Sequence, residues 1–160
     1  MVGRCLNNLG DIATEQGDYA LAAHYLNEAL ATMKEIGDQE GVAFVNLSLG
    51  DLAIGQNDWS AAQNYCQAGL KQAVSIAAMP WVLFALAGLA DVQVKAKRYE
   101  AAAELLGLVL THPASDAQVK QRAEPVLALA RAALPPDVVE AALERGRAKE
   151  SEAVVAEILS

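Results

Sequence analysis

The feature that most constrains this chain is a repeat with a period of 40 residues. The recurring positions are Leu9, Leu49 and Leu89; Asp11, Asp51 and Asp91; Tyr19, Trp59 and Tyr99; Ala22, Ala62 and Ala102; and Leu30, Leu70 and Leu110. A unit of this size cannot bury its own hydrophobic faces, so it is stable only when neighbouring copies stack against it. The sequence therefore predicts an array of similar units rather than a single globular core.

Each repeat is predicted to consist of a helix, a tight turn and a second helix. In the first repeat Leu6, Leu9 and Ala13 follow the spacing of three and four residues that places side chains on one helical face. A longer apolar stripe with similar spacing runs from Tyr19 to Met33 and predicts the second helix. We predict hairpins over residues 3–38, 41–78 and 80–111.

The remaining residues, 115–160, break the repeat pattern and are predicted to form capping helices over the third repeat. Residues 115–118 resemble a capping box that opens the first of these helices. Pro125 is expected to kink this helix or to begin a new one. A further helix is predicted from about 137 to 147, and a last short helix is predicted to begin at a Ser151 cap.

Composition and net charge indicate the type of helix and exclude several classes of partner and site. The residue set AVILMFWYC makes up 54% of the chain but aromatic residues only 5%, which favours Ala- and Leu-rich helices. The formal net charge of −8 argues against direct binding of nucleic acid or of an anionic membrane surface. Two cysteines fit neither a disulfide scaffold nor a zinc cluster, and no apolar run is long enough for a membrane span. These observations predict a reduced, cytoplasmic protein.

The first repeat resembles a known family. Asn8-Leu9-Gly10, Gly17-Asp18-Tyr19, Ala22, Leu26 and Ala29 resemble the tetratricopeptide repeat. That resemblance implies a right-handed superhelical solenoid of antiparallel helix hairpins, closed here by the C-terminal cap. The period exceeds the family's usual value of about 34 residues, and we expect the additional residues in a polar connector at positions 37–41.

The resemblance also implies a binding surface on the concave side of the solenoid, lined by the first helix of each repeat. Its candidate residues are Arg4, Asn8, Asp11 and Glu15; Phe44, Ser48, Asp51 and Gly55; and Phe84, Gly88, Asp91 and Lys95. Three aspartates and few cations disfavour a clamp for a peptide carboxylate and favour a basic or amphipathic protein segment. The alternative is that the aspartates are simply solvated and the two phenylalanines pack between repeats.

A second resemblance concerns the C-terminal third. Its residues are Leu105-Leu106-Gly107, the segments 112–115 and 134–139, and the segments 142–148 and 152–155. They resemble the C-terminus of large bacterial regulators in which an ATPase or a LuxR-type winged-helix module precedes tetratricopeptide repeats. This resemblance implies that the chain is the C-terminal interaction or sensor part of a bacterial signalling or transcription regulator.

Three functional hypotheses follow. The first is a non-catalytic module that binds a peptide, a protein segment or an effector, without cofactor or metal. The second is homodimerisation, either through the sparsely charged residues 41–94 or through the first helix. The third is an enzyme, for which the candidates are Cys5, Cys66, His24 and His112. No residue stands at metal-ligand spacing from either histidine and no phosphate-binding or nucleophile motif is present, so the sequence favours a non-enzymatic protein.

Overall fold

The computed structural model describes residues 1–160 and contains nine α-helices and no strand. The helices are α1 (Val2–Glu15), α2 (Tyr19–Ile36), α3 (Gln39–Gly55), α4 (Trp59–Ser75), α5 (Met79–Lys95), α6 (Tyr99–Thr111), α7 (Ala117–Ala133), α8 (Pro136–Arg147) and α9 (Ser151–Leu159). The prediction of an all-α chain built from helical hairpins is confirmed. The assignment of residues 115–160 to a cap stays a prediction.

The chain forms two compact units, Met1–Trp81 and Val82–Ser160. In the first unit α2 packs along both α1 and α3, α3 packs along α4, and α1 lies beside α3. Its core includes Leu26, Met33 and Val45, which are 0–1% exposed. In the second unit α6 packs against α8 and against α7.

A left-handed backbone residue ends five helices at intervals of twenty residues. These residues are Gly17, Gly37, Asn57, Ala77 and Lys97, with φ between 53° and 78°. The connector between repeats is therefore as short as the turn within a repeat, and the expectation of a longer polar connector at 37–41 is wrong. Residues 39–41 already belong to α3, so the longer period lengthens the helices instead of the loop.

Aspartate opens three of the first four helices. The side chains of Asp18, Asp38 and Asp58 each accept a hydrogen bond from the backbone N–H three residues later, at 2.8–3.2 Å. This contact satisfies one of the unpaired amides at a helix N-terminus. Arg98 occupies the same position before α6 and makes no side-chain cap bond.

Glycines allow the helices to approach closely. A Cβ atom added to Gly10 would stand 2.5 Å from Leu26 Cγ, and one added to Gly50 would stand 2.9 Å from Cys66 Sγ. The closest approach joins α6 and α8, where a Cβ at Gly107 or Gly146 would overlap backbone atoms of Leu143 or Glu104. Glycines therefore bring helices together both in the first unit and between α6 and α8.

The structure of the C-terminal helices differs from the sequence-based expectations at three points. Helix α7 runs without interruption through Pro125, so no new helix begins there; Pro125 and Gln121, the residue whose carbonyl loses its helical partner to the proline, are both exposed. Asp116, not Ser115, caps α7, accepting from the Val119 amide at 2.9 Å; Asp is as good a cap as Ser. Ser151 does not cap α9 but is its first residue, and its hydroxyl contacts the Glu152 carboxylate. The predicted helix at about 137–147 is confirmed as α8.

Candidate functional site

The candidate residues of the first unit lie on two neighbouring helices. Arg4, Asn8 and Glu15 on α1 are exposed, whereas Asp11 on α1 and Asp51 on α3 are partly buried. Since α1 and α3 pack side by side, these acidic residues occupy equivalent positions on adjacent helices. The acidic face is defined here as Arg4, Asn8, Asp11 and Glu15 of α1 with Glu40, Phe44 and Asp51 of α3.

Two other candidates in this unit are covered by protein. Ser48 is only 4% exposed, so its hydroxyl offers little surface to a partner. At Gly55 a Cβ would stand 3.0 Å from the ring of Tyr19, so that ring lies against the backbone there. Their burial follows from the close crossing of the helices.

Asn7 is the residue on α1 that positions an acidic side chain. It is fully buried, and its Nδ2 donates to Asp11 Oδ2 at 2.9 Å. This contact, one helical turn apart, orients the Asp11 carboxylate from below. The sequence contains adjacent asparagines at 7 and 8, and only the packing of α1 against its neighbours distinguishes the buried one.

An aromatic pair lies beside the Glu40 carboxylate of α3. The rings of Phe44 and Trp81 lie 5.1 Å apart between centroids at an interplanar angle of 45°, a favourable tilted arrangement. The indole N–H of Trp81 donates to Glu40 Oε1 at 2.9 Å. Both rings are partly exposed, so the pair presents apolar surface next to a carboxylate.

In the second unit the candidates are Phe84, Gly88, Asp91 and Lys95 on α5. Phe84 and Asp91 are partly buried, Lys95 is exposed and Gly88 is buried. The guanidinium of Arg122, on α7, lies 4.4 Å from the centroid of the Phe84 ring, within cation–π range. The expected aromatic residue is therefore covered on one side by a cation of the same chain.

A charged cluster joins α6 to the end of α8. Arg145 contacts Glu100 at 3.2 Å and Glu104 at 3.1 Å, and Lys149 also pairs with Glu104. The hydrogen bond from Lys149, assisted by Arg145, lowers the pKa of Glu104 despite the opposing effect of partial burial. The same bond raises the pKa of Lys149. This cluster flanks the glycine contact between α6 and α8 and is structural in character.

The candidate cysteines and histidines stand on different elements, Cys5 on α1, His24 on α2, Cys66 on α4 and His112 after α6. Cys5 is exposed, whereas Cys66 is buried against Gly50. His24 lies on the surface of α2, 3.7 Å from Glu28, and His112 Nδ1 accepts a hydrogen bond from the Ala114 amide. No cluster of three or more His, Cys, Asp or Glu side chains is arranged to hold a metal ion. None of the helices combines the length and the hydropathy needed to cross a bilayer.

Sequence reasoning did not identify Glu40, Trp81 and Arg122 as neighbours of the candidate residues. Glu40 had a usable signal, because it precedes Phe44 by four residues and therefore shares its helical face. Trp81 and Arg122 reach the phenylalanines from other helices, and no spacing within one helix reveals such contacts.

Comparison with known proteins finds a similarity in the first unit. Residues 2–77 match the family model described as tetratricopeptide repeat. No curated protein and no solved structure gives a match to this chain. Tetratricopeptide repeats generally mediate protein–protein interaction and are typically non-catalytic. The matched segment contains the two hairpins α1–α2 and α3–α4 and is similar to tetratricopeptide repeats over that range.

Proposed function

We propose that this protein is a non-catalytic interaction module that binds a basic, amphipathic protein segment on the acidic face of α1 and α3. The observation that carries the proposal is the partly exposed Phe44–Trp81 pair, which contacts the Glu40 carboxylate on the helix that also carries Asp51. Apolar side chains of a bound segment would contact the rings, while its Lys or Arg residues would face the carboxylates.

The charges of the acidic face support a basic partner. It carries one cation, Arg4, against four carboxylates. An acidic or neutral segment would gain no comparable attraction, and a peptide carboxylate would meet like charges. Because Glu15 and Glu40 are exposed to solvent, their attraction for a partner should weaken as salt concentration rises.

A contact between a cation and an aromatic ring in the second unit also supports a basic partner. Arg122 lies over the ring of Phe84, and Phe84 is the equivalent of Phe44 one repeat later. The chain itself thus makes at Phe84 the kind of cation–aromatic contact that a basic partner would make at Phe44.

The test uses Trp81 fluorescence. A Trp59→Tyr background leaves Trp81 as the only tryptophan and introduces the residue found at the equivalent positions 19 and 99. We expect a synthetic Lys/Leu helical peptide of about four turns to change Trp81 emission with a salt-dependent affinity. A peptide of the same pattern with Glu in place of Lys should leave the emission unchanged.

Matched charge variants locate the binding surface. The double variant Glu40→Gln/Asp51→Asn should weaken binding of the Lys/Leu peptide by about tenfold, as expected for the loss of two partly desolvated charge contacts. Glu28→Gln/Glu35→Gln removes the same charge from exposed positions of α2 and should have little effect. Equal weakening by both pairs would show a non-specific charge effect and would refute the acidic face as the site.

The resemblance of the C-terminal third to bacterial regulators suggests a wider context. We propose that the interaction module reports partner binding to ATPase or winged-helix domains of a longer signalling or transcription regulator in the cytoplasm. The test is the gene that encodes these residues. An upstream segment encoding such a domain in the same reading frame supports the proposal, and an open reading frame without one contradicts it.

A further inference from the structure

The carboxylates of the acidic face are concentrated at one end. Helices α1 and α3 run in the same direction, because a tight turn reverses the chain on each side of α2. Their C-terminal halves carry Asp11, Glu15 and Asp51, and residues 9–15 and 47–55 contain no Lys or Arg. The carbonyl groups at the C-terminal ends of both helices add to the negative potential. These three carboxylates are called the acidic end below.

The aromatic side chains lie at the other end of the face. Phe44 is in the N-terminal half of α3, and its ring stands 5.1 Å from that of Trp81, in the first turn of α5. The Trp81 indole N–H donates to the Glu40 carboxylate. Glu40, Phe44 and Trp81 are called the aromatic end below. The nearest cation of the face in sequence position is Arg4, which stands level with Phe44 in the preceding repeat. The face is therefore acidic at one end and aromatic at the other.

The spacing between the two ends is fixed by α3. Phe44 and Asp51 are seven residues apart on this helix, which separates them by about 10.5 Å along the axis and by about 20° around it. Ser48, between them, is only 4% exposed. A partner that lies along α3 therefore meets a ring first and a carboxylate two turns later.

We propose that the segment bound by the acidic face is an α-helix in which an apolar side chain and a cation lie seven residues apart. The apolar side chain contacts the aromatic end and the cation faces the acidic end. This inference rests on the proposed function and adds the conformation and the spacing of the partner. In a helix lying along α3, residues seven apart reproduce both the separation of about 10.5 Å and the common face. In an extended segment, side chains on one side recur about every 6.7 Å, so the separations available are about 6.7 and 13 Å.

The charges on α1 extend this pattern. Asp11 is the equivalent of Asp51 one repeat earlier, and Glu15 lies one turn beyond Asp11. A second cation, four residues beyond the first, would therefore face Glu15. A cation placed beside the apolar side chain would instead approach Arg4 and be repelled. The face thus favours a helix whose apolar and basic residues are separated over one in which they alternate.

Three peptides of identical composition test the spacing. Each is an Ala- and Gln-rich helix of about 20 residues with one Leu and two Lys, the second Lys one turn beyond the first. The first Lys stands four, seven or eleven residues from Leu, spacings that all keep the side chains on one helical face. Each is made in both chain directions, and circular dichroism compares the helicity of the free peptides. By Trp81 emission in the Trp59→Tyr background, we expect the seven-residue spacing to bind about tenfold more tightly than the other two.

Protein variants connect the preference to named carboxylates. Asp51→Asn should reduce the affinity of the seven-residue peptide to that of the others, while Glu35→Gln, at an exposed position of α2, should leave the preference unchanged. Because Asp51 is partly buried, circular dichroism checks the fold of its variant. Glu15→Gln, at an exposed position, provides a second test. It should weaken the peptide with two lysines and leave unchanged a peptide that lacks the second lysine.

The outcomes separate this inference from the proposed function. Equal affinity for all three spacings, or a preference for another spacing, overturns the inference alone. A proline in the middle of the seven-residue peptide breaks its helix and should abolish binding. Retained binding would show an extended partner and would also overturn the inference. If neither these peptides nor the Lys/Leu peptide bind, the inference and the proposed function are both wrong.

Discussion

Substituting Gly107 by Ala should destabilise the second unit, although Ala is the better helix former. Gly107 lies in the middle of α6, and a Cβ there would overlap the carbonyl oxygen, carbonyl carbon and Cα of Leu143 in α8. All three are backbone atoms, so no side-chain rotation makes room. The two helices must separate.

The magnitude follows from two opposing effects. Replacing Gly by Ala within a helix contributes about 1 kcal/mol of stability. Forcing an extra carbon into a packed contact costs typically about 1–3 kcal/mol, and the backbone obstacle places this case near 3. The net loss is about 2 kcal/mol, which corresponds to a decrease in Tm of about 4–8 °C for a chain of this length.

Gly3→Ala provides the matched control. A Cβ at Gly3 would stand 2.9 Å from Met33 Cε, the end of a flexible side chain that can move aside. Guanidinium chloride unfolding followed by far-ultraviolet circular dichroism compares both variants with the parent chain. We expect Gly3→Ala to change the free energy of unfolding by less than about 0.5 kcal/mol. A Gly107→Ala variant as stable as the parent would refute the close α6–α8 contact.

Two further predictions concern the helix ends and the charged cluster. Lys97 has a left-handed φ of 62°, so Lys97→Gly should raise the free energy of unfolding by about 1 kcal/mol. Gly17→Ala, at the equivalent turn, should lower the free energy of unfolding by a similar amount. Urea unfolding measures both variants, and a destabilising Lys97→Gly would contradict the left-handed backbone at Lys97. The lowered pKa of Glu104 means that its carboxylate stabilises the fold above its unfolded pKa and that this contribution is lost as pH falls through the lower folded pKa. The raised pKa of Lys149 gives the converse, a contribution lost as pH rises through its folded pKa, which lies above the ordinary value for lysine. Unfolding of Glu104→Gln should therefore depend less on pH at both extremes than unfolding of the parent chain, and an unchanged acid dependence would contradict the role of the cluster.

The repeat, the helices and many of the turns could be predicted because they depend on local chemistry. Gly17 and the aspartates at 18 and 58 signal a turn and a cap by residue type alone. Ala77 and Lys97 adopt the same left-handed backbone without such a signal, because the neighbouring helices impose the turn. No new helix begins at Pro125, and its exposed position on α7 depends on tertiary packing that residue type alone does not reveal.

Sequence periodicity predicts which candidate residues share a face of one helix, but it does not predict contacts between helices. Periodicity groups Phe44 with Asp51, which lie two turns apart on α3. It cannot indicate that Trp81 covers Phe44 or that Arg122 covers Phe84, since these contacts depend on the spacing and rotation of separate helices. The same limit applies to Ser48, whose burial comes from its neighbours and not from its own helix.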